Sequence, residues 1–367
     1  MSLRLGQSRE VTELAPARTV LRQGSIVLPS PCAAFPGQDP SPLLRGMSDA
    51  SLQVNSGAVV VPPLQLELYT IANGAFFVGH GLDGAILDGE NRPIHQTGVF
   101  CPAAAAGTAL DLPAAHQLDE VFVGFDGAWR NYFHWLCFGV AKSFLAARHL
   151  PQTAMIAVPD YAGGLRDGAI SYGEATWRQS LAFSGLSERV TALPSGVYRA
   201  RKLHFFWTRP GQPTDIMYLN AFKDVFDVMA KNAGPPARAL QSLYLARSKS
   251  VANRLPDSLE ELTVRVLARH GFEAVGFEGM DLRQQITTFA NTRRVVAAHG
   301  AGLVNTLFHR GGLRVLELNS RVDGDQAFRP WFYVTSAVRN HRYVSLDIAM
   351  PGFGEEHLEA AISALET

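Results

Sequence analysis

The sequence predicts an α/β fold in two domains, and three observations carry that expectation. Its 367 residues are enough to bury two separate cores. Short apolar, β-branched runs alternate with helical patterns, as in a parallel sheet with helices on its faces. The run Val295-Val296-Ala297-Ala298-His299-Gly300-Ala301-Gly302-Leu303-Val304-Asn305 reads as a strand turning sharply into a helix with uncovered first amides. Glycine permits positive φ and close ligand approach. Bare N–H groups at a positive helix end favour an anion, most often a phosphate. A tight turn with Gly302 packed on the sheet accounts for the same residues equally well. The dinucleotide fingerprint would place a third glycine where Asn305 stands, which counts against an NAD-dependent oxidoreductase. An esterase-type H-G-G-G motif is set aside because the chain has no G-x-S-x-G nucleophile elbow.

Residues 1–60 are rich in Pro, Gly and Ser and read as an irregular arm. The N-terminal α/β domain, 61–232, opens β-rich. Leu66–Ile71, Ala75–Val78 and Gly84–Leu87 are short β segments separated by Gly and Asn turns. Val121–Phe125 is a buried strand, and Tyr132–His149 a helix apolar almost all round. Met155–Val158 is a strand, Trp177–Leu186 a helix, Leu203–Phe206 a strand and Ile216–Lys231 a long amphipathic helix. Ala233-Gly234-Pro235-Pro236-Ala237 is the linker, and a second α/β domain occupies 238–350. There Ser242–Ala246 is a strand, and a Ser258-Leu259-Glu260-Glu261 capping box starts a helix. Phe272–Phe277, Arg294–Ala298, Val315–Leu318 and Tyr343–Leu346 are strands; Leu282–Phe289 and Trp331–Val338 are helices. The closing segment, 351–367, holds a helix placed to pack back on the N-terminal domain.

Composition narrows the function. Charged residues are 18% of the chain and the formal charge is zero, so no basic excess exists to hold a nucleic-acid backbone. Cys32, Cys101 and Cys137 are odd in number and far apart, which excludes a disulfide framework or zinc pattern and fits a reducing cytoplasm. The chain starts without a signal-peptide pattern, and no apolar run is long enough to span a bilayer. A cytoplasmic protein is expected, at most peripheral at the inner face of the membrane.

Ligands of open parallel sheets sit beyond the carboxyl ends of the strands. Arg247, Glu278 and His299 follow three such ends and Glu317 closes a fourth. A guanidinium clamps diphosphate oxygens in pairs, and a carboxylate accepts bonds from ribose hydroxyls. Each residue alone reads as a surface ion pair; together, beside the glycine turn, they read as a nucleotide site. In the first half, His134 stands in the first turn of a helix after a buried strand, where an imidazole suits a general base. A histidine merely hydrogen-bonded among aromatics is the plainer alternative.

Tyr132-Phe133-His134-Trp135, Tyr244-Leu245-Ala246-Arg247, the Glu278–Gln285 segment and Ala298–Asn305 occur in the order seen in glycosyltransferase family 61, which the chain resembles over roughly residues 60–346. Phe308 and the strand-end Glu317 match the same pattern. The proline-rich arm and Arg254-Leu255-Pro256 depart from it. The resemblance implies a GT-B architecture: two Rossmann-like domains facing a cleft, here with an extra N-terminal β-rich segment. It also implies inverting, metal-independent transfer of a hexosyl or pentosyl group. The donor would be a nucleotide-sugar, commonly UDP-linked, and the acceptor a hydroxyl of a glycan or lipid-linked glycan in cell-surface polysaccharide synthesis. No cofactor is expected.

In that scheme His134 is the base, with Asp126 the alternative. Arg247, His299 and the amides of Gly300, Ala301 and Gly302 receive the leaving diphosphate. Glu317 holds the ribose, supported by Asn305 and Glu278. Asp323-Gly324-Asp325 spells a metal-binding pair but reads as a loop. A nucleotide-sugar-binding or assembly protein that keeps the cleft without the chemistry is the non-enzymatic alternative.

Overall fold

The computed structural model describes residues 2–4, 8–30, 43, 52–55, 58–79, 82–95, 109–111, 115–209, 213–235, 240–246, 255–319 and 328–366. The chain divides into two compact units, Met1–Gln23 with Pro63–Val225 and Gly24–Pro62 with Phe226–Thr367.

The first unit is built on a mixed sheet. Its main strands are β1 (Arg18–Gln23), β2 (Leu64–Val78), β3 (His116–Val123), β4 (Met155–Pro159), β5 (Val190–Leu193) and β6 (Gly196–Arg209), and the short Ile86–Leu87 pairs on β2. They lie in the order β5-β4-β3-β6-β2-β1. β3 is parallel to β4 and β6, β4 is parallel to β5, and β2 runs antiparallel to both β6 and β1. Val121, Phe122 and Val123 are fully buried, as a central parallel strand covered on both faces requires. β4 and β5 extend the sheet to one side of β3, and β6 returns on the other. Strand order therefore reverses between β3 and β6.

Helix α1 (132–149) connects β3 to β4. It runs from an α turn, Tyr132–His134, through a π segment, Trp135–Val140, into Ala141–His149. The helix lies so close to the sheet that a Cβ on Gly124 would stand 2.4 Å from Ser143 Oγ and 2.9 Å from the Ala157 carbonyl. Only glycine fits there. Helices α2 (Tyr161–Asp167) and α3 (Glu174–Phe183) follow β4.

Several elements differ from the sequence reading. Asn73-Gly74 reads as a turn but lies inside the continuous β2, where Asn73 takes φ 54°. A Cβ on Gly74 would sit 3.1 Å from the Leu203 side chain and the Leu87 carbonyl, so close packing explains that glycine. β6 is longer than its apolar run because Arg199, Arg201 and Lys202 interrupt the pattern without ending the ladder to β2. In place of one helix over Ile216–Lys231, 3₁₀ turns at Pro213–Tyr218 and Asn220–Phe222 precede α4 (Lys223–Ala233). Within the stretch read as an irregular arm, β1 pairs with β2, and Ile26–Leu28, Ala58–Val61 and Gln53–Asn55 form a small antiparallel sheet.

The second unit carries β7 (Ser242–Ala246), β8 (Glu273–Gly276), β9 (Arg294–Ala298), β10 (Arg314–Asn319) and β11 (Arg342–Asp347). All are parallel, in the order β8-β7-β9-β10-β11, so strand order reverses between β7 and β9. Its helices are α5 (Asp257–Arg269), α6 (Leu282–Ala290), α7 (Trp331–Val338) and α8 (Glu355–Glu366). α8 is integral to this unit: Leu358, Ala361, Ile362 and Leu365 join Val266, Leu316 and Val344 in one core. The Ser258 capping box does not form, because the helix already begins at Asp257, with Pro256 at the N-cap. The motif occurs instead at α6, where Asp281 Oδ1 accepts from the Gln284 amide and Gln284 Oε1 from the Asp281 amide, both at 2.9 Å. Among the described residues no helix is long and apolar enough to cross a membrane.

His341 is a buried joint in this unit. Its Nδ1 accepts the Leu313 amide at 3.3 Å while Nε2–H donates to the Thr306 carbonyl at 2.9 Å, so the neutral ring is fully engaged. Burial pushes its pKa down to about 4, against the opposing pull of the Thr306 carbonyl. The unfolded chain takes up this proton near 6.5 and the folded one only near 4. The contribution is thus complete above pH 6.5 and is lost as pH falls through that window, on the order of 3 kcal/mol. Urea unfolding between pH 7 and 4.5 should show a steeper loss for wild type than for His341→Gln. Equal slopes would remove His341 from this role.

Candidate functional site

In the first unit the site grows from the end of β3, at the reversal of strand order where ligands of parallel sheets bind. Asp126 lies in the turn after Phe125. Its Oδ1 accepts the Ala128 amide at 2.9 Å, and its Oδ2 meets His134 Nδ1 at 2.9 Å. Asn131 caps α1 by accepting the Phe133 amide at 2.9 Å, which sets His134 in the first turn. The carboxylate is buried, whereas 23% of the His134 side chain is exposed. Both Asp126 oxygens have donors, so His134 donates from Nδ1, and in the neutral ring the lone pair falls on Nε2. Nε2 has no partner among the described residues. Phe138 and Phe133 flank the ring at 5.3 and 5.8 Å between centroids. The two residues proposed as alternative bases are therefore one unit, a histidine oriented by a carboxylate.

Two supports of this pair have little or no signal in the sequence. Buried Asp83 accepts the Trp129 indole N–H at 3.1 Å and pairs with Arg130, clamping the turn between Asp126 and α1. Beside it Gly84, at φ 72°, would bring a Cβ within 3.0 Å of the Asp126 backbone. The other support is Lys142, buried in α1, whose Nζ donates to the Phe125 carbonyl at 3.0 Å. Burial pushes its ammonium down to about 8, and the Asp126 charge pulls the other way. A single lysine within an apolar helical run was the available signal.

In the second unit the corresponding place is the end of β9. His299 Nδ1 meets Glu317 Oε1 at 2.5 Å, and Tyr343 donates its hydroxyl to Glu317 Oε2 at 2.5 Å. Glu317 is fully buried and both oxygens are taken, so the expected ribose contact is not available to it. It orients His299 instead. Burial and the Glu317 charge push the Tyr343 hydroxyl well above its ordinary pKa, which keeps it a donor. Asn305 is also interior: its amide donates to the Gly302 carbonyl at 3.0 Å and to Gln285 Oε1 at 3.3 Å, tying the glycine turn to α6.

The glycine turn works differently from the expectation. Gly300 is extended, at φ 169°, and uses no left-handed conformation. Gly302 packs on Leu245 of β7: a Cβ there would stand 2.8 Å from Leu245 Cδ2, the mobile end of that side chain. The segment that follows, Ala301–Phe308, is a 3₁₀ helix rather than an α-helix. Leu303 makes its first closing bond, to the Gly300 carbonyl at 3.0 Å, and the Ala301 and Gly302 amides before it have no partner among the described residues. The bare amides of the anion-site reading are thus present. Glu278 lies exposed just beyond β8, the edge strand. Arg247, Asp323 and Asp325 lie outside the described residues.

A model of the family described as Glycosyltransferase 61 matches residues 115–316, just over half of the chain. The span takes in both histidines, Asp126, Lys142, Glu278 and Asn305, and stops one residue short of Glu317. No curated protein matches the sequence.

Tyr343→Phe should destabilise the protein by about 1–3 kcal/mol, since it strips one of two partners from a buried carboxylate. Denaturant unfolding measures this. A loss under about 0.5 kcal/mol, within the usual range of surface substitutions, would show that the hydroxyl does not support Glu317.

Proposed function

Since the chain belongs to glycosyltransferase family 61, we propose that it moves a sugar from a nucleotide-linked donor, UDP-linked, to a hydroxyl of a glycan or lipid-linked glycan in cell-surface polysaccharide synthesis. The His134–Asp126 pair carries this reading: an oriented imidazole with a free Nε2 is what a hydroxyl acceptor needs. Nε2 removes the acceptor proton as the acceptor oxygen attacks the anomeric carbon. The bond from that carbon to the diphosphate oxygen breaks, with inversion. The proton stays on His134, stabilised by Asp126, and the negative charge leaves on the nucleoside diphosphate.

We read the second unit as the donor side. His299, held by Glu317, and the unbonded Ala301 and Gly302 amides suit a diphosphate, because fixed donors stabilise charge that develops as the bond breaks. Arg247 and Glu278 are assigned to the same ligand. The two sheets, one with a parallel core and one parallel throughout, each with polar residues at its reversal of strand order, support the GT-B reading. The transfer is taken to be metal-independent and the protein to work in the cytoplasm.

A thermal-shift screen of UDP-, GDP-, CMP- and TDP-linked compounds should single out UDP ligands, with ~2.7 kcal/mol of added stability at ~100 times Kd. Stabilisation by none of them would remove the donor assignment. With the donor so found, His134→Ala should lower kcat by roughly 10²–10⁴-fold without weakening UDP binding. Turnover within a few-fold of wild type would move the base elsewhere. Activity should persist in excess EDTA; loss rescued by Mn²⁺ would overturn metal independence.

A further inference from the structure

The helix that presents His134 also carries a charge that the transfer scheme leaves unused. Lys142 is the one charged residue between Trp135 and Ala147. It is buried, and its Nζ holds the carbonyl of Phe125, the residue before Asp126. In an unbroken α-helix, side chains eight positions apart diverge by about 80°. The π segment changes this: the Ala141 amide bonds to the Leu136 carbonyl five residues back, inserting one residue into the turn. With that insertion His134 and Lys142 come within about 20° of one another on the same face of α1. An ammonium buried against one carbonyl is unfavourable, and an apolar side chain of equal length would avoid the desolvation. Packing alone therefore gives no reason for a cation at this position, whereas its place behind Asp126 does.

We propose that Lys142 is a positioning residue for the His134–Asp126 pair: it pins the carbonyl preceding Asp126 and sets a positive charge behind the carboxylate, fixing the arrangement in which Asp126 accepts the His134 Nδ1 proton. The catalytic consequence rests on the reading of His134 as base; the positioning itself does not. The groups that share this electrostatic setting are Asp126, Cys137, Tyr172 and Arg130. Burial holds the Cys137 thiol and the Tyr172 phenol well above their ordinary values, so neither titrates where Lys142 does.

The test is NMR of the full chain with histidine ring nitrogens labelled, the His134 signals being assigned by their loss in His134→Gln. In wild type, His134 should be the Nδ1–H tautomer and its ring signals should show a small displacement with a midpoint near pH 8, as Lys142 loses its proton. Lys142→Met should abolish that displacement and change the tautomer ratio by twofold or more. Lys142→Arg should restore the ratio without the displacement. A His134 spectrum in folded Lys142→Met that superposes on wild type would overturn the proposal. Should Lys142→Met not fold, the absence of any wild-type displacement near pH 8 would overturn it as well. A changed tautomer together with undiminished turnover of His134→Ala would leave the positioning intact and remove the base reading instead.

Discussion

A carboxylate taken out of water must be surrounded by donors, and this requirement shapes both functional regions of the chain. Asp126 and Glu317 are each buried at the carboxyl side of parallel strands, and each carries a histidine through Nδ1. Leaving either carboxylate short of a donor would cost several kcal/mol, so the neighbouring backbone is arranged around it. The Ala128 amide serves Asp126, and the Tyr343 hydroxyl serves Glu317. The imidazoles inherit their orientation from these anchors. The more exposed histidine, His134, suits proton transfer; the more enclosed His299, beside unbonded amides, suits holding an anion.

Much of the fold was legible because parallel strands buried on both faces leave near-continuous apolar runs, as at Val121–Val123 and Val295–Ala298. Their order in the sheets was not legible, since pairing is a matter of tertiary contact. Turn residues misled where packing overrode local preference. Asn73-Gly74 continues a strand because a long antiparallel partner supplies hydrogen bonds on both sides of it. Ser258 caps nothing because Pro256 had already fixed the helix start.

At the candidate site, residue type singled out side chains that the structure pairs, but not the partner each one takes. His134, Asp126 and His299 stood out by their positions after apolar strands. Glu317 was placed at the right strand but on the wrong side of the problem: burial, invisible in the sequence, turned a presumed ribose ligand into a histidine anchor. Gly302 meets both of its explanations at once, with Leu245 packed beside it and its own amide unbonded among the described residues. Asp83 was missed because the partners that tie it to the site, Trp129 and Arg130, lie 46 and 47 residues further along the chain.

The route of the polypeptide has a consequence for how the molecule is made. Residues 24–62 belong to the second unit, yet they interrupt the first between β1 and β2. The chain therefore visits the second unit, returns, and leaves again at Val225. Neither unit is a continuous piece of sequence, so no single cut yields either one whole. A fragment beginning at Pro63 would lose β1 and leave the long edge of β2 open to pairing with other chains. Emergence from the ribosome poses the same difficulty in time. The early segment can pair within itself, but the rest of its unit is made only after Val225.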